Sequence, residues 1–226
     1  PGVVIASDAM MMAGDWNDEP VWDTPYDKIP NTHPRLAGSH GTCLRIAREK
    51  GIPLINFPAP QGGSTAPATF AGEIVQGSAE SLSGLVLAQL TRPGAPFIYG
   101  AFATVMDMKT TIFSYGAPEM SLMVAAMAQM AQSYKLPFFG TAGCSDAKYP
   151  DAQAAAEVAF SCLASALAGA NLVHDAGSWL DHGSLASPAF MVLVNEILYM
   201  VEQFMRGLPV NDETLALDMM DRMGPG

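Results

Sequence analysis

From about residue 40 onward, short apolar runs alternate with longer stretches of helical periodicity. The runs are Ile52-Pro53-Leu54-Ile55-Asn56-Phe57, Pro96-Phe97-Ile98-Tyr99-Gly100, Leu136-Pro137-Phe138-Phe139-Gly140 and Asn171-Leu172-Val173-His174. Short apolar runs closed by Gly or Pro read as strands buried on both faces, the habit of a parallel sheet. Between them, residues 68–91 are rich in Ala, Leu, Val and Glu and stop at Arg92-Pro93-Gly94. Pro118-Glu119 opens a second helix, with Pro suited to the first turn and Glu to the positive end of the dipole. There Met120, Met123, Met127 and Met130 form a stripe that reads as core. Residues 151–168 are mostly Ala and end at Gly169. Ser187-Pro188 begins a fourth helix, running to Arg206-Gly207, with Asn195, Glu196, Glu202 and Gln203 on one face. A last helix starts at Asn211, with Val210 and Leu215 placed as a hydrophobic staple.

Strands alternating with helices predict an α/β fold with a parallel sheet. The strands begin near 53, 96, 137 and 171. At roughly 40 residues per unit, eight units exceed the ~250 residues of an ordinary (β/α)8 barrel. Four units are clear, and a fifth if Val3-Val4-Ile5 is a strand, so the chain is about half of a large barrel or a complete open sheet. No G-x-G-x-x-G follows any strand and Gly140/Gly143 lack its spacing, which speaks against a dinucleotide-binding fold. Residues 1–40, with Trp16, Trp22 and Tyr26, show no period and read as an irregular excursion; residues 41–226 carry the repeating units. The start at Pro1 and the end at Gly224-Pro225-Gly226 suggest a fragment or processed product.

Composition narrows the classes. With 226 residues, 50% apolar and 15% charged, the chain can fill a sizeable core and is not intrinsically disordered. A net charge of −11 without any Lys/Arg cluster makes nucleic acid and anionic membrane poor partners. The apolar stretches break well short of the ~20 residues of a spanning helix, and no secretion leader is expected. Cys43, Cys144 and Cys162 are widely spaced and odd in number, which reads as reduced thiols in a cytoplasmic protein.

Candidate chemistry collects where strands give way to helices. The four junctions are Pro58–Thr65, Ala101–Gly116, Gly140–Lys148 and His174–Gly177. His174-Asp175 reads either as an oriented base or donor to an anionic ligand, or as a buried His with an Asp capping the next helix. His174, Asp175 and His182 lack the further ligands of a metal site, so no metal is expected, and Asp181-His182 reads as an exposed loop. Cys144 reads as a small lining residue rather than a nucleophile. Asp146 and Lys148 read as an ion pair, a cap or a functional pair. The aromatics Tyr99, Phe102, Phe113, Tyr115 and Phe139 either cage a cationic ammonium head or simply pack.

Taken together, the junction motifs resemble the trimethylamine methyltransferase family. The resemblance is carried by Leu90-Thr91-Arg92-Pro93-Gly94-Ala95-Pro96, Val105-Met106-Asp107-Met108-Lys109-Thr110 and Phe113-Ser114-Tyr115-Gly116-Ala117-Pro118-Glu119. It continues through Gly140-Thr141-Ala142-Gly143-Cys144-Ser145-Asp146-Ala147-Lys148 with Pro150-Asp151-Ala152-Gln153, and Gly169-Ala170-Asn171-Leu172-Val173-His174-Asp175-Ala176-Gly177. It implies a TIM-type (β/α)8 barrel, this chain covering roughly the C-terminal half. It also implies demethylation of a methylated amine, the methyl passing to the cobalt of a separate corrinoid protein docked at the barrel mouth. No cofactor is then held tightly in the chain itself. Founding members carry pyrrolysine; only the standard twenty letters occur here, so the branch acting on quaternary amines such as glycine betaine is expected. On this reading His174 holds a substrate carboxylate and Asp175 orients it. Tyr99, Phe102, Tyr115, Phe139 and Cys144 line the substrate, and Gln61, Asp146 and Lys148 face the corrinoid. A homo-oligomer is expected, and the alternative is a non-catalytic binding protein for methylated ammonium compounds.

Overall fold

The computed structural model describes residues 5–6, 49–177 and 179–224. Five strands, β1 (Ile5–Ala6), β2 (Leu54–Asn56), β4 (Phe97–Gly100), β6 (Phe138–Thr141) and β7 (Leu172–His174), form one sheet in that order. Every pairing in it is parallel. The four expected runs are therefore strands, and the candidate fifth strand is present at Ile5–Ala6. The rest of the irregular segment over residues 1–40 lies outside the described residues. Each strand neighbours the next in sequence, and the order never reverses.

Two short strands, β3 (Gln61–Gly62) and β5 (Thr104–Val105), extend the β2–β4 pair beyond its tip. Both pairs keep one offset, Asn56 with Tyr99 and Gln61 with Thr104. The Phe102 N–H donates to the Pro58 carbonyl at 2.9 Å, bridging the gap between them.

Four long helices connect the strands: α1 (Phe70–Thr91), α2 (Pro118–Ser133), α3 (Ala152–Leu167) and α4 (Pro188–Met205). Their starts follow the local chemistry. Pro118 opens α2, the Asp151 carboxylate accepts from the Ala154 N–H, and the Ser187 hydroxyl accepts from the Phe190 N–H. Each helix packs on the next, α1 on α2, α2 on α3, α3 on α4. Met120, Met123 and Met127 are buried as expected for a core stripe, together with Val124, Phe97, Tyr99 and Phe138. Alternation along the strands sends Tyr99 and Phe138 towards Tyr134 at the end of α2, while Phe57, Phe139 and His174 meet on the other face.

The antiparallel hairpin β8 (Trp179–Leu180) and β9 (Leu185–Ala186) lies between β7 and α4. The expected last helix is two: α5 (Asp212–Leu215), capped by Asn211, and α6 (Leu217–Met223), separated by left-handed Ala216. The Val210–Leu215 staple does not form a buried contact, since the two residues are 76% and 44% exposed. A capping box between Asn211 and Thr214 starts α5 instead. No helix among the described residues is long and apolar enough to cross a membrane.

Gly100 is required by the packing of this sheet. A Cβ there would lie 2.5 Å from the Asn56 carbonyl oxygen and 2.8 Å from the Phe57 ring. Gly100→Ala is expected to cost about 1–3 kcal/mol by overpacking. Urea unfolding checks this, and a midpoint equal to wild type would refute it.

Candidate functional site

At the tips of β6 and β7, Thr141 and His174 are paired in register. The His174 Nδ1 lies 2.9 Å from Asp175 Oδ1, and its Nε2 lies 2.6 Å from the Thr141 hydroxyl. With a proton on Nδ1 facing the carboxylate, Nε2 accepts from Thr141, so both nitrogens are engaged within the protein. The imidazole ring stacks on Phe139 at 5.0 Å and meets the edge of Phe57 at 4.6 Å. Phe57 contacts Phe102, which in turn contacts Phe113 and Tyr115. Six rings thus form one continuous wall along the strand tips.

Asp175 stands at the end of this wall. It has φ 68, a left-handed conformation that few non-glycine residues adopt. Its carboxylate faces the Tyr115 hydroxyl. Burial raises the Tyr115 pKa above its usual range, and negative charge on Asp175 raises it further. Cys144 is buried, with Sγ 3.9 Å from the Asp175 carbonyl oxygen. Burial, and then the Asp175 charge, push its thiol pKa up, so it is a protonated lining group and not a ready nucleophile. Cys162 is likewise raised, by burial, to about 11.

A second carboxylate organises the surrounding loops. Asp146 accepts from the Ser114 hydroxyl and, at 2.7 Å, from the Tyr115 N–H. The His182 Nδ1 lies 2.8 Å from its Oδ1, although no proton is aimed along that line. Glu157 braces the same loop from α3, accepting from the Ser145 hydroxyl at 2.5 Å and the Asp146 N–H at 2.9 Å. It lies against Gly116, where a Cβ would force the carboxylate to shift. Asp181 and His182 are both left-handed, with φ 48 and 56. Behind them, a Cβ on Gly183 would reach 3.2 Å from the Tyr115 ring. Asp146 therefore joins three segments, 113–116, 144–148 and 181–183, around Tyr115.

The structure brings His174, Asp175, Phe102, Tyr115, Phe139 and Cys144 together. It places Tyr99 apart, fully buried on the helical face of the sheet. Asp146 is not in an ion pair with Lys148, which is exposed; it is part of the loop network instead. Gln61 is half-buried in β3. The expected exposed Asp181-His182 loop is corrected: both residues are partly buried, and two successive left-handed residues accompany the approach of His182 to Asp146. Sequence reading also missed Phe57, which it took only as part of a strand, and Glu157, an unremarked helix residue. No group of three or more potential ligands among the described residues could hold a metal ion. A groove of about 490 Å³ on α4, lined by Glu196, Tyr199, Met200, Gln203 and Phe204, contains none of these groups.

Comparison with known proteins gives this arrangement a family. The family model described as trimethylamine methyltransferase matches residues 29–226. The chain belongs to the trimethylamine methyltransferase family. Trimethylamine methyltransferase MttB2 of Methanosarcina mazei is 43% identical over 176 residues, covering 78% of this chain and 35% of that protein. Trimethylamine methyltransferase MttB of Desulfitobacterium hafniense is 40% identical over 174 residues, covering 77% of this chain and 35% of its own length. Glycine betaine methyltransferase of the same species is 34% identical over 184 residues, covering 81% and 38%. The chain thus spans little more than a third of the curated relatives it matches.

Proposed function

We propose that this chain forms part of a methyltransferase that takes a methyl group from a methylated ammonium compound, and that its strand tips hold that cation. One observation carries the reading. A single carboxylate, Asp175, closes a wall of aromatic rings that includes Phe57, Phe102, Phe139 and Tyr115. Aromatic faces and one carboxylate attract a quaternary nitrogen without needing a hydrogen bond from it. His174, with both nitrogens occupied, positions Asp175 by this reading and does not reach for a substrate carboxylate.

The architecture we propose is roughly the C-terminal half of a (β/α)8 barrel over residues 41–226. Support comes from the four parallel strands of that range, with β1 at the edge of the same sheet, in unreversed order, because an open doubly wound sheet has a reversal point. The methyl acceptor we propose is a corrinoid carried by a separate protein, as the family resemblance implies. Such a corrinoid would supply the nucleophile for the methyl carbon, and the amine would leave with the electron pair of the C–N bond. The residues of this chain hold the cation still, aim one methyl outward and keep water from its charge. Gln61 and Lys148 are the rim groups available to the partner.

The test is titration calorimetry of the full chain with tetramethylammonium, trimethylamine and glycine betaine, followed by methyl transfer to a cobalt(I) corrinoid read by visible absorption. Saturable binding of at least one cation, and tenfold weaker binding of 3,3-dimethylbutanol, whose tert-butyl head is the uncharged isostere of a trimethylammonium group, are expected. Equal affinity for the isostere would remove the cation reading. Binding without transfer would leave a receptor in place of an enzyme.

A further inference from the structure

Glu73 is the only fully buried charged side chain among the described residues, at 0% exposure. It lies in the first turn of α1, with its carboxyl against Gly62 of β3. A Cβ on Gly62 would come within 2.6 Å of its Oε2, so a larger residue there would make the carboxyl shift. Neither carboxyl oxygen has a hydrogen-bond partner among the described residues. The amides of Gly62 and Thr104 face the group closely enough to draw its pKa part of the way down, but they stop short of hydrogen-bonding geometry. Gly62 and Thr104 face it, and no other titratable group contributes to the shift in its pKa. A charge in that position has no counter-ion among the described residues, and burial raises the group's pKa to about 7.

What Glu73 touches leads directly to the site. Thr104 is fully buried and its hydroxyl donates to the Ser114 carbonyl. The Ser114 N–H donates to the Val105 carbonyl at 3.0 Å, and Met106 bridges to Phe113. Phe113 and Tyr115 therefore hang from β5, and β5 rests through β3 on α1. We propose that Glu73 is a positioning residue for the aromatic wall: as the neutral acid it seats α1 on the β3–β5 pair, and that pair carries Phe113 and Tyr115 into place. Its effect on ligand rests on the proposed cation site, whereas its effect on the strands does not.

The sign follows from the proton. The unfolded chain releases it near pH 4.5 and the folded chain holds it to about pH 7. Stability from the seated acid is lost as pH rises through that window and levels off above it. In the full chain, protection of the Met106 and Tyr115 amides against hydrogen exchange, corrected for intrinsic rate, is expected to fall about tenfold between pH 6 and 8. Glu73→Gln is expected to abolish that dependence, and tetramethylammonium affinity is expected to follow the same profile in each chain. Glu73→Met, of similar volume, serves if the amide variant folds poorly. Identical exchange profiles in wild type and variant would overturn the proposal, as would unchanged affinity while the amides titrate. If wild type binds no methylated cation, the cation site is lost as a reading, and the exchange arm still decides the role of Glu73.

Discussion

Asp175→Asn is expected to weaken tetramethylammonium binding about 30-fold or more, the loss of a charge-paired contact worth roughly 2 kcal/mol. The substitution isolates charge from shape. Asparagine is among the few residues that tolerate the left-handed backbone found at 175, so φ 68 need not change. Its side-chain oxygen still accepts from His174, whose ring remains stacked on Phe139. Only the negative charge beside Tyr115 disappears, and with it one cause of the raised pKa of that hydroxyl. Binding of 3,3-dimethylbutanol should therefore be unchanged in the variant. Tyr115→Leu should cost less, about 5-fold, because one ring supplies roughly 1 kcal/mol of cation–π attraction. A calorimetric titration in which Asp175→Asn binds within twofold of wild type would count against the carboxylate as the cation's partner.

The strands and helices were legible because Gly, Pro and capping residues bracket nearly every element. Asp151 and Ser187 stand as caps where the pattern placed helix starts, and Gly169 and Gly207 have positive φ where helices end. The facing of side chains was much less legible. Phe97-Ile98-Tyr99 and Phe138-Phe139 are apolar at consecutive positions, so no alternation tells which ring turns to the helices. Only the cross-strand register, Tyr99 opposite Phe138, puts both on the helical side. Phe57 lies one residue past β2, where a strand reading gives no hint that it meets Phe139 and His174. His182 was hidden by its neighbours, since Asp-His-Gly is ordinary turn sequence. Its approach to Asp146 depends on two successive left-handed residues. Glu73 is indistinguishable in sequence from a solvated helix glutamate; its burial is a property of β3 and β5 closing over it.

Asp146→Ala is expected to lower stability by about 3 kcal/mol, or roughly 6–12 °C in Tm for a chain of this size. The reason is the number of donors it would leave behind. The Ser114 hydroxyl and Tyr115 N–H both point at this carboxylate, and the backbone amide cannot turn elsewhere. Loss of the carboxylate also frees the 181–183 segment, whose left-handed residues at Asp181 and His182 have backbone strain to release. Asp146→Asn distinguishes the geometry of this network from its charge. Its side-chain oxygen can stay on the Tyr115 N–H while its amide donates to Ser114, whose hydroxyl both donates and accepts. A loss of about 1 kcal/mol is expected there, with the loops intact. Because Tyr115 is held by this carboxylate and by Gly183 behind its ring, Asp146→Ala should also weaken tetramethylammonium, whereas Asp146→Asn should not. Thermal unfolding followed by circular dichroism, paired with calorimetry, reads both effects; an alanine variant that melts with wild type would show that the three loops stand without the knot.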